Sequence, residues 1–197
     1  MARMKFLCDS DRCIECNACV TACKNEHEVP WGVNRRRVVT LNDGVPGERS
    51  ISVACMHCSD PPCMAVCPVD CFYQTEEGVV LHSKELCIGC GYCFYACPFG
   101  APQYPQAGNF GSRGKMDKCT FCAGGPANDE SEEFALYGRN RLADGKLPLC
   151  AEMCSTKALL AGDGDVVSEI YRQRVVARGF GSGAWGWGTA YEGKSGT

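Results

Sequence analysis

The sequence predicts a loop-rich α+β fold built from duplicated cysteine-rich modules. Three observations support this prediction. Cysteine accounts for 18 of the 197 residues, most of the cysteines recur at short fixed spacings, and only short strand-like and helix-like segments separate them. Because cysteine supplies a large share of the 45% apolar residues, few carbon-rich side chains remain to form a core. Something other than side chains is therefore expected to fill the interior.

Sixteen of the cysteines form four groups of four. In the first and third groups, two, two and three residues separate successive cysteines, so these groups repeat one pattern. The second group has four residues, Ser59 to Pro62, between its middle cysteines, and the fourth is split by a long insertion. Repetition of this kind indicates duplication of a two-group module. The groups are Cys13, Cys16, Cys19, Cys23; Cys55, Cys58, Cys63, Cys67; Cys87, Cys90, Cys93, Cys97; and Cys119, Cys122, Cys150, Cys154.

The spacing is typical of 4Fe–4S clusters. Bacterial ferredoxins carry three thiolates on one short loop and a fourth about one helical turn later, followed by proline, and this fourth cysteine ligates the other cluster of a pair. Pro68 and Pro98 follow the same rule here. Because every one of the sixteen positions is cysteine, four 4Fe–4S clusters are predicted, held by duplicated two-cluster ferredoxin-like modules.

Disulfides and structural zinc are the alternatives. A disulfide needs Cα atoms about 4.4–6.8 Å apart with well-aimed side chains, and cysteines three apart on a tight loop meet this requirement poorly. Zinc is the stronger rival because pairs of cysteines separated by two residues bind it well. A zinc-stapled interaction module would be colourless and would lack acid-labile sulfide.

Charge and motifs exclude several other classes of function. The net charge of −3 gives no basic balance for nucleic-acid binding. The run from Arg35 to Arg37 is expected to be a solvated face, with a salt-dependent contact to an acidic partner or to lipid headgroups as the alternative. The chain has no nucleotide-binding loop and no catalytic constellation, so no catalytic residue is predicted.

Three residues near the groups have separate predictions. His57, between Cys55 and Cys58, is expected to be structural or to support a cluster, because no second Cys–His pair follows to form a Rieske site. The two remaining cysteines, Cys8 and Cys71, are expected to be buried free thiols.

Short elements are predicted between the groups. Strands are expected over residues 37–41, 51–54 and 78–82, with a turn at 42–44. A short helix is expected after each fourth cysteine, and the longest helix over 166–178. The predicted N-cap of that helix is Asp165, the residue after its end is Gly179, and its apolar stripe is Val166, Val167, Ile170, Tyr171 and Val175.

Several segments resemble a known family. The run Cys-Met-His-Cys-Ser-Asp-Pro-Pro-Cys over residues 55–63 is similar to an element of the iron–sulfur (beta) subunits that accompany bis-molybdopterin oxidoreductases. Residues 118–122 and 149–154 resemble the fourth group of that family. The resemblance covers residues 4–165, and the stretch 89–118 is most similar to beta subunits of bacterial membrane-associated formate dehydrogenases.

The resemblance implies how the cysteines are shared. The first and fourth groups would occupy one lobe, and the second and third groups the other. Within each lobe, the last cysteine of one group would ligate the cluster held by the other group. The four implied cluster sets are Cys13, Cys16, Cys19, Cys154; Cys119, Cys122, Cys150, Cys23; Cys55, Cys58, Cys63, Cys97; and Cys87, Cys90, Cys93, Cys67.

The same resemblance implies the domain organisation. Residues 1–47 and 110–165 would form an outer ferredoxin-like lobe, and residues 48–109 an inner one. Residues 166–197 would supply a C-terminal helix and a glycine- and aromatic-rich tail, which packs on a partner subunit or is a disordered end. The insertion after Cys122 is long for the family and is either a surface excursion or a docking element.

The resemblance also implies function and partners. The chain would relay electrons between a molybdenum or tungsten bis-pterin formate dehydrogenase subunit, next to the outer lobe, and a cytochrome b membrane subunit that reduces quinone, next to the inner lobe. A sulfoxide, thiosulfate or polysulfide reductase subunit and a free polyferredoxin are the alternatives.

The sequence gives no sign of its own membrane attachment. It has no apolar signal region and no apolar stretch long enough to cross a membrane, and it stops after Thr197 without the membrane-crossing helix of some formate dehydrogenase beta subunits. The expected location is peripheral to the cytoplasmic membrane, on the periplasmic face by co-export with the catalytic subunit, with the cytoplasm as the alternative.

Folding is predicted to depend on cluster assembly, because the clusters replace the missing apolar interior. Removing iron with a chelator under anaerobic, reducing conditions should abolish most of the native far-ultraviolet circular dichroism. Retention of full native helicity in the iron-free chain would contradict this expectation.

Overall fold

Three separate two-stranded antiparallel sheets and five helices surround the cysteine loops in the computed structural model, which describes residues 3–105, 114–124 and 140–178. The strands are β1 (Met4–Cys8), β2 (Arg36–Leu41), β3 (Arg49–Ala54), β4 (Phe72–Gln74), β5 (Val80–His82) and β6 (Leu159–Asp163). The helices are α1 (Ala18–Glu26), α2 (Pro62–Ala65), α3 (Tyr92–Ala96), α4 (Leu149–Glu152) and α5 (Gly164–Ala177).

The β1–β6 sheet joins segments that are far apart in the sequence. Met4 lies opposite Asp163 and Cys8 opposite Leu159, and α5 packs against both strands. Because β1 leads into the first cysteine group and β6 follows the fourth, this pairing brings the two groups to the same part of the molecule.

The β2–β3 hairpin confirms the strands predicted over residues 37–41 and 51–54. Its register places Arg36 opposite Ala54 and Leu41 opposite Arg49, and the turn contains Asn42 and Gly44 in left-handed conformations, with φ of 55° and 71°. The hairpin crosses the lobe boundary predicted between residues 47 and 48, and the division into lobes stays a prediction.

The β4–β5 hairpin lies beside the second and third cysteine groups. β5 is buried along its whole length, but it begins at Val80, two residues later than predicted. Gly78 instead lies in the turn with a φ of 78°, a conformation that glycine adopts at little cost.

In the second, third and fourth groups the short helix precedes the fourth cysteine, and in the first group α1 contains Cys23 and ends at Glu26, so the prediction that a helix follows each fourth cysteine is wrong. The two helices α2 and α3 both end just before the proline-flanked cysteines Cys67 and Cys97, and α4 ends before Cys154. The physical reason lies in the spacing: three residues between the third and fourth cysteines amount to about one helical turn, which carries the chain from one thiol to the next.

The C-terminal helix begins earlier than predicted, and its N-cap is Asp163 rather than Asp165. The Asp163 carboxylate accepts hydrogen bonds from the backbone N–H groups of Asp165 and Val166, at 2.8 and 3.4 Å, which satisfies donors that the first turn leaves free. Of the predicted apolar stripe only Val167 is buried; Val166 is 57% exposed. Gly179 lies outside the described residues.

The run from Arg35 to Arg37 is not a solvated face, which corrects the prediction. The exposed fractions of Arg35 and Arg36 are only 2% and 1%. Arg35 is buried because it forms a two-pronged ion pair with Asp117, at 2.5 and 2.9 Å, and Lys84 contacts the same carboxylate at 2.7 Å.

Two predictions fall largely on residues that the structure does not describe. The insertion after Cys122 is described only from Asn140 onward, where Arg141 is buried and forms an ion pair with Glu152. The tail after Arg178 lies wholly outside the described residues. Within the described ranges, no helix is both long enough and apolar enough to cross a membrane.

Replacing Asp117 with asparagine should destabilise the protein, since Arg35 and Lys84 would lose their shared counter-charge inside the fold. Breaking a buried ion pair from one side costs about 3–5 kcal/mol, equivalent to a fall in denaturation temperature of about 6–20 °C. Calorimetry of the iron-loaded protein measures this shift.

The matched control is Glu169→Gln. Glu169 forms an exposed ion pair with Arg172 on α5, and exposed pairs contribute little to stability. Equal effects of Asp117→Asn and Glu169→Gln would show that the buried triad does not stabilise the fold.

Candidate metal centres

All four cysteine groups share one backbone feature. The residue directly before the second cysteine has a positive φ in every group: Glu15 at 57°, His57 at 45°, Gly89 at 70° and Phe121 at 60°. Three of these residues are not glycine, and such residues are uncommon in this conformation. The recurrence therefore indicates that the four loops are copies of one structural half-unit.

The first and third groups are alike in a second position. Asn17 and Gly91 directly follow the second cysteine, have φ of 57° and 87°, and are the N-caps of α1 and α3. Each loop thus leads into a helix that carries the third cysteine. This arrangement places three thiols around one concave loop, which suits a compact polynuclear ligand better than a chain of disulfides.

Backbone N–H groups donate to several sulfur atoms of the four groups, and five of these contacts have a measured distance. The five donor–sulfur distances lie between 3.3 and 3.5 Å, within the range for hydrogen bonds to sulfur. Such donors favour the thiolate form and adjust the reduction potential of a bound cluster. The pairs are Phe121 to Cys119, Met116 to Cys87, Ala101 to Cys97, Cys71 to Cys67 and Leu159 to Cys154.

Cysteines from the first and fourth groups converge. Burial, and then electrostatic interaction with the thiols of Cys119, Cys150 and Cys122, raises the pKa of Cys23 well above its usual value. Cys19, Cys150 and Cys154 belong to one packed core cluster. The structure therefore brings Cys23 to the fourth group and Cys154 to the first.

Cysteines from the second and third groups also meet. Burial raises the pKa of both Cys58 and Cys63, to about 11 for the latter, and the thiols of Cys55 and Cys97 raise both further. Cys97 is the last cysteine of the third group, so it lies among the thiols of the second.

The last set of converging cysteines, from the second and third groups, includes Cys71, which belongs to none of the four groups. Cys63, Cys71 and Cys93 share a buried core cluster, against which Cys67 and Cys87 pack. The sulfur of Cys71 lies 3.5 Å from that of Cys67. Hydrogen bonding to Cys87, together with burial, raises the pKa of Cys71. Cys71 thus links Cys67, from the second group, to Cys87, from the third.

One contact joins the two pairs of groups. Cys119, from the fourth group, packs in a buried cluster with Cys55, and Cys97 packs against the same cluster. The thiol groups therefore form a continuous series from the first group through the fourth and second to the third.

The donor set fits 4Fe–4S clusters. Along the chain the thiols fall into groups of four, backbone N–H groups point at several sulfurs, and all 18 cysteines are free of disulfides. Among the described residues, no three His, Cys, Asp or Glu side chains are placed to hold a single metal ion. When bound, each cluster accepts and releases one electron. The surrounding residues hold the thiols in position and exclude water from the inner ones.

Two polar residues next to the thiols were not predicted. His27 Nε2 lies 3.2 Å from Cys122 Sγ, and burial, followed by the Arg35 charge, lowers the pKa of His27 to about 3, which keeps its ring neutral. The hydroxyl of Tyr104 lies 3.3 Å from Cys93 Sγ. The position of His27, one helical turn after Cys23, is the only sequence signal that could have indicated its contact.

His57 has a structural role, as predicted. Its Nδ1 accepts a hydrogen bond of 3.1 Å from the backbone N–H of Val80, and its ring packs edge-on against Phe121. Of the two extra cysteines, Cys71 is buried as predicted. Cys8 is only half-buried and accepts a hydrogen bond from the Ser52 N–H.

Comparison with known proteins gives consistent results. Residues 49–164 match the 4Fe–4S dicluster domain. The chain is 65% identical over 195 residues to the formate dehydrogenase iron-sulfur subunit of Wolinella succinogenes, covering 97% of this chain and 98% of the relative.

More distant relatives are subunits of reductases. The chain is 34% identical to the B subunit of the anaerobic dimethyl sulfoxide reductase of Escherichia coli, covering 78% of this chain and 70% of the relative. It is 35% identical to the thiosulfate reductase electron transfer subunit PhsB of Salmonella typhi, covering 88% and 87%. Together with the domain match, these similarities show that the chain belongs to the 4Fe–4S dicluster family of iron–sulfur, electron-transfer subunits.

Proposed function

We propose that this chain relays electrons through four 4Fe–4S clusters between a molybdenum or tungsten bis-pterin formate dehydrogenase subunit and a membrane cytochrome b partner that reduces quinone. The main support for an electron relay is the continuous series of thiol groups, which runs from the first group through the fourth and second to the third. The preference for formate rests on the near full-length similarity to the Wolinella subunit, whose name states that function.

We further propose the ligand sets that the resemblance implies. Support comes from the interactions between groups: Cys23 lies among the thiols of the fourth group, Cys154 interacts with Cys19 in the same core cluster, and Cys97 interacts with Cys58 and Cys63. Each of these cysteines is the last of its group, as the exchange between paired clusters requires.

The solvent exposure of the cysteine loops indicates which groups lie at the ends of the series. Ile14 and Ile88, which follow the first cysteine of the first and third groups, are both 64% exposed. The equivalent residue of the fourth group, Thr120, is 3% exposed. Met56, at the same position of the second group, is partly buried. These exposures support the first and third groups as the ends at which electrons enter and leave, and the fourth group as the most buried member of the series.

The protein itself performs no bond chemistry in this proposal. Its side chains hold the clusters, set their surroundings and exclude water, while the partner subunits supply catalysis. The relatives that are dimethyl sulfoxide and thiosulfate reductase subunits favour one second candidate, an electron-transfer subunit that supplies a reductase. A free polyferredoxin, which has no stable large partner, is a third.

The proposed location is peripheral to the cytoplasmic membrane on its periplasmic face, reached bound to the catalytic subunit. The folded, cluster-loaded chain would need to cross as a complex, because the clusters are assembled before export. Fractionation of intact cells followed by protease treatment of spheroplasts would distinguish the two faces of the membrane.

The first test is metal content and reduction by formate. This subunit, purified anaerobically, should contain about sixteen iron and sixteen sulfide per chain. In the complete complex, formate should reduce the clusters of this subunit, giving a complex electron paramagnetic resonance spectrum from interacting centres. Zinc without sulfide would contradict the electron relay. If formate did not reduce the clusters, but the electron donor of a reductase did, the second candidate would be favoured.

The ligand sets predict paired effects of substitution. Cys23→Ser and Cys150→Ser should perturb the same resonance signal, while Cys19→Ser and Cys154→Ser should perturb a different one, because each pair would serve one cluster. Loss of that cluster lowers the iron content from about sixteen to about twelve per chain.

Cys8→Ala is the matched control, since Cys8 is outside the proposed sets and should leave the iron content unchanged. If Cys23→Ser instead altered the same signal as Cys19→Ser, the exchange of last cysteines between groups would be wrong.

A further inference from the structure

A fully buried arginine lies between the thiols of the first and fourth groups. Arg36 is 1% exposed, and its guanidinium carbon stands 4.3 Å from the centre of the Phe6 ring. Its position on β2, opposite Ala54, directs it into the interior. Such a placement is unusual for a charged side chain without a counter-charge.

The guanidinium has one hydrogen bond to a protein oxygen. Nη1 donates to the Ser52 hydroxyl at 3.0 Å, and that hydroxyl lies 3.3 Å from Cys19 Sγ. Within the described ranges, Nε and Nη2 are buried without a hydrogen-bond partner. The neighbouring Arg35 differs, because its charge is matched by Asp117.

Cysteine sulfurs surround Arg36, and the negative charge that acts on it is theirs when they are ionised. Although burial alone would lower the pKa of Arg36, the pKa is raised by interaction with four cysteines. In return, Arg36 lowers the pKa of Cys119 and Cys19, which burial raises. The four cysteines are Cys150, Cys119, Cys23 and Cys19.

A buried charge without a partner is strongly unfavourable, so the fold needs anions beside Arg36. An oxidised 4Fe–4S cluster with four thiolates carries a charge of about −2, and its potential depends on the charges around it. The two clusters proposed for the first and fourth groups would supply that negative charge, and their sulfurs would be acceptors for Nε and Nη2, which lack a partner within the described ranges.

We propose that Arg36 tunes the reduction potential of this cluster pair. Its fixed positive charge stabilises the reduced state of the clusters. This inference rests on the proposed function. The geometry links the charge first to the cluster proposed for Cys13, Cys16, Cys19 and Cys154, because Arg36 donates to the Ser52 hydroxyl, which contacts Cys19 Sγ. Each reduction adds one electron and no proton, since arginine stays protonated throughout.

The test compares Arg36→Gln with Arg36→Lys in the complete complex. Glutamine removes the charge but keeps hydrogen-bond donors, whereas lysine keeps the charge. Redox titration followed by electron paramagnetic resonance should show that Arg36→Gln lowers the potential of the affected cluster. At a fixed solution potential, its ratio of reduced to oxidised cluster should fall at least tenfold, equivalent to about 59 mV for one electron.

The potential in Arg36→Lys should stay much closer to that of the unmodified complex. Arg172→Gln makes the same chemical change in an exposed ion pair on α5 and should leave all potentials unchanged. Unaltered potentials in Arg36→Gln, or equal shifts in the glutamine and lysine variants, would overturn the proposal.

Iron content keeps the test decisive if Arg36→Gln binds clusters poorly. Loss of iron from the glutamine variant alone would support the role of the charge, while equal loss from both variants would show that the shape of the side chain is what matters. Failure of the unmodified complex to contain clusters, or to be reduced by formate, would instead reject the proposed function before any variant is compared.

Discussion

The meeting of thiols from distant parts of the chain is the constraint on which the rest of the structure depends. Cys23 can reach Cys119 and Cys150 only if the N-terminal and C-terminal segments lie side by side. The β1–β6 sheet provides this arrangement, and α1 packs directly against α4. The small sheets therefore hold the segments that carry the thiols next to one another. No single large apolar core organises the part of the fold that the structure describes.

An interior filled with cysteine sulfurs changes the cost of burying cations, because these sulfurs carry negative charge once they hold a cluster. Arg36 and Lys118 are both almost completely buried, which in an ordinary apolar core would be strongly unfavourable. Lys118 donates hydrogen bonds to the backbone carbonyls of Val80 and Cys119, and it lowers the pKa of the nearby Cys63, which burial raises. The two cations lie beside thiols of neighbouring groups, so the charge of the interior is balanced close to where electrons would pass.

Sequence reasoning succeeded where local spacing determines the structure and failed where distant contacts do. The cysteine spacing predicted the chemistry, and local residue types predicted the strands over 37–41 and 51–54, although not their pairing as a hairpin. The same reasoning placed Arg35 and Arg36 in solvent, because their partners Asp117 and the cysteine thiols are remote in sequence. The contact of His27 with Cys122 spans 95 residues, and no local pattern beyond the place of His27 one turn after Cys23 could have indicated it.

The pairing of β1 with β6 affects the order in which the clusters can assemble during synthesis of the chain. Under the proposed ligand sets, both clusters of the second and third groups have all their ligands once Cys97 has left the ribosome. The first and fourth groups wait for Cys154, and their sheet waits for Asp163. Maturation would therefore proceed from the middle of the chain outward, with the N-terminal thiols held unligated and open to oxidation until the last strand is made.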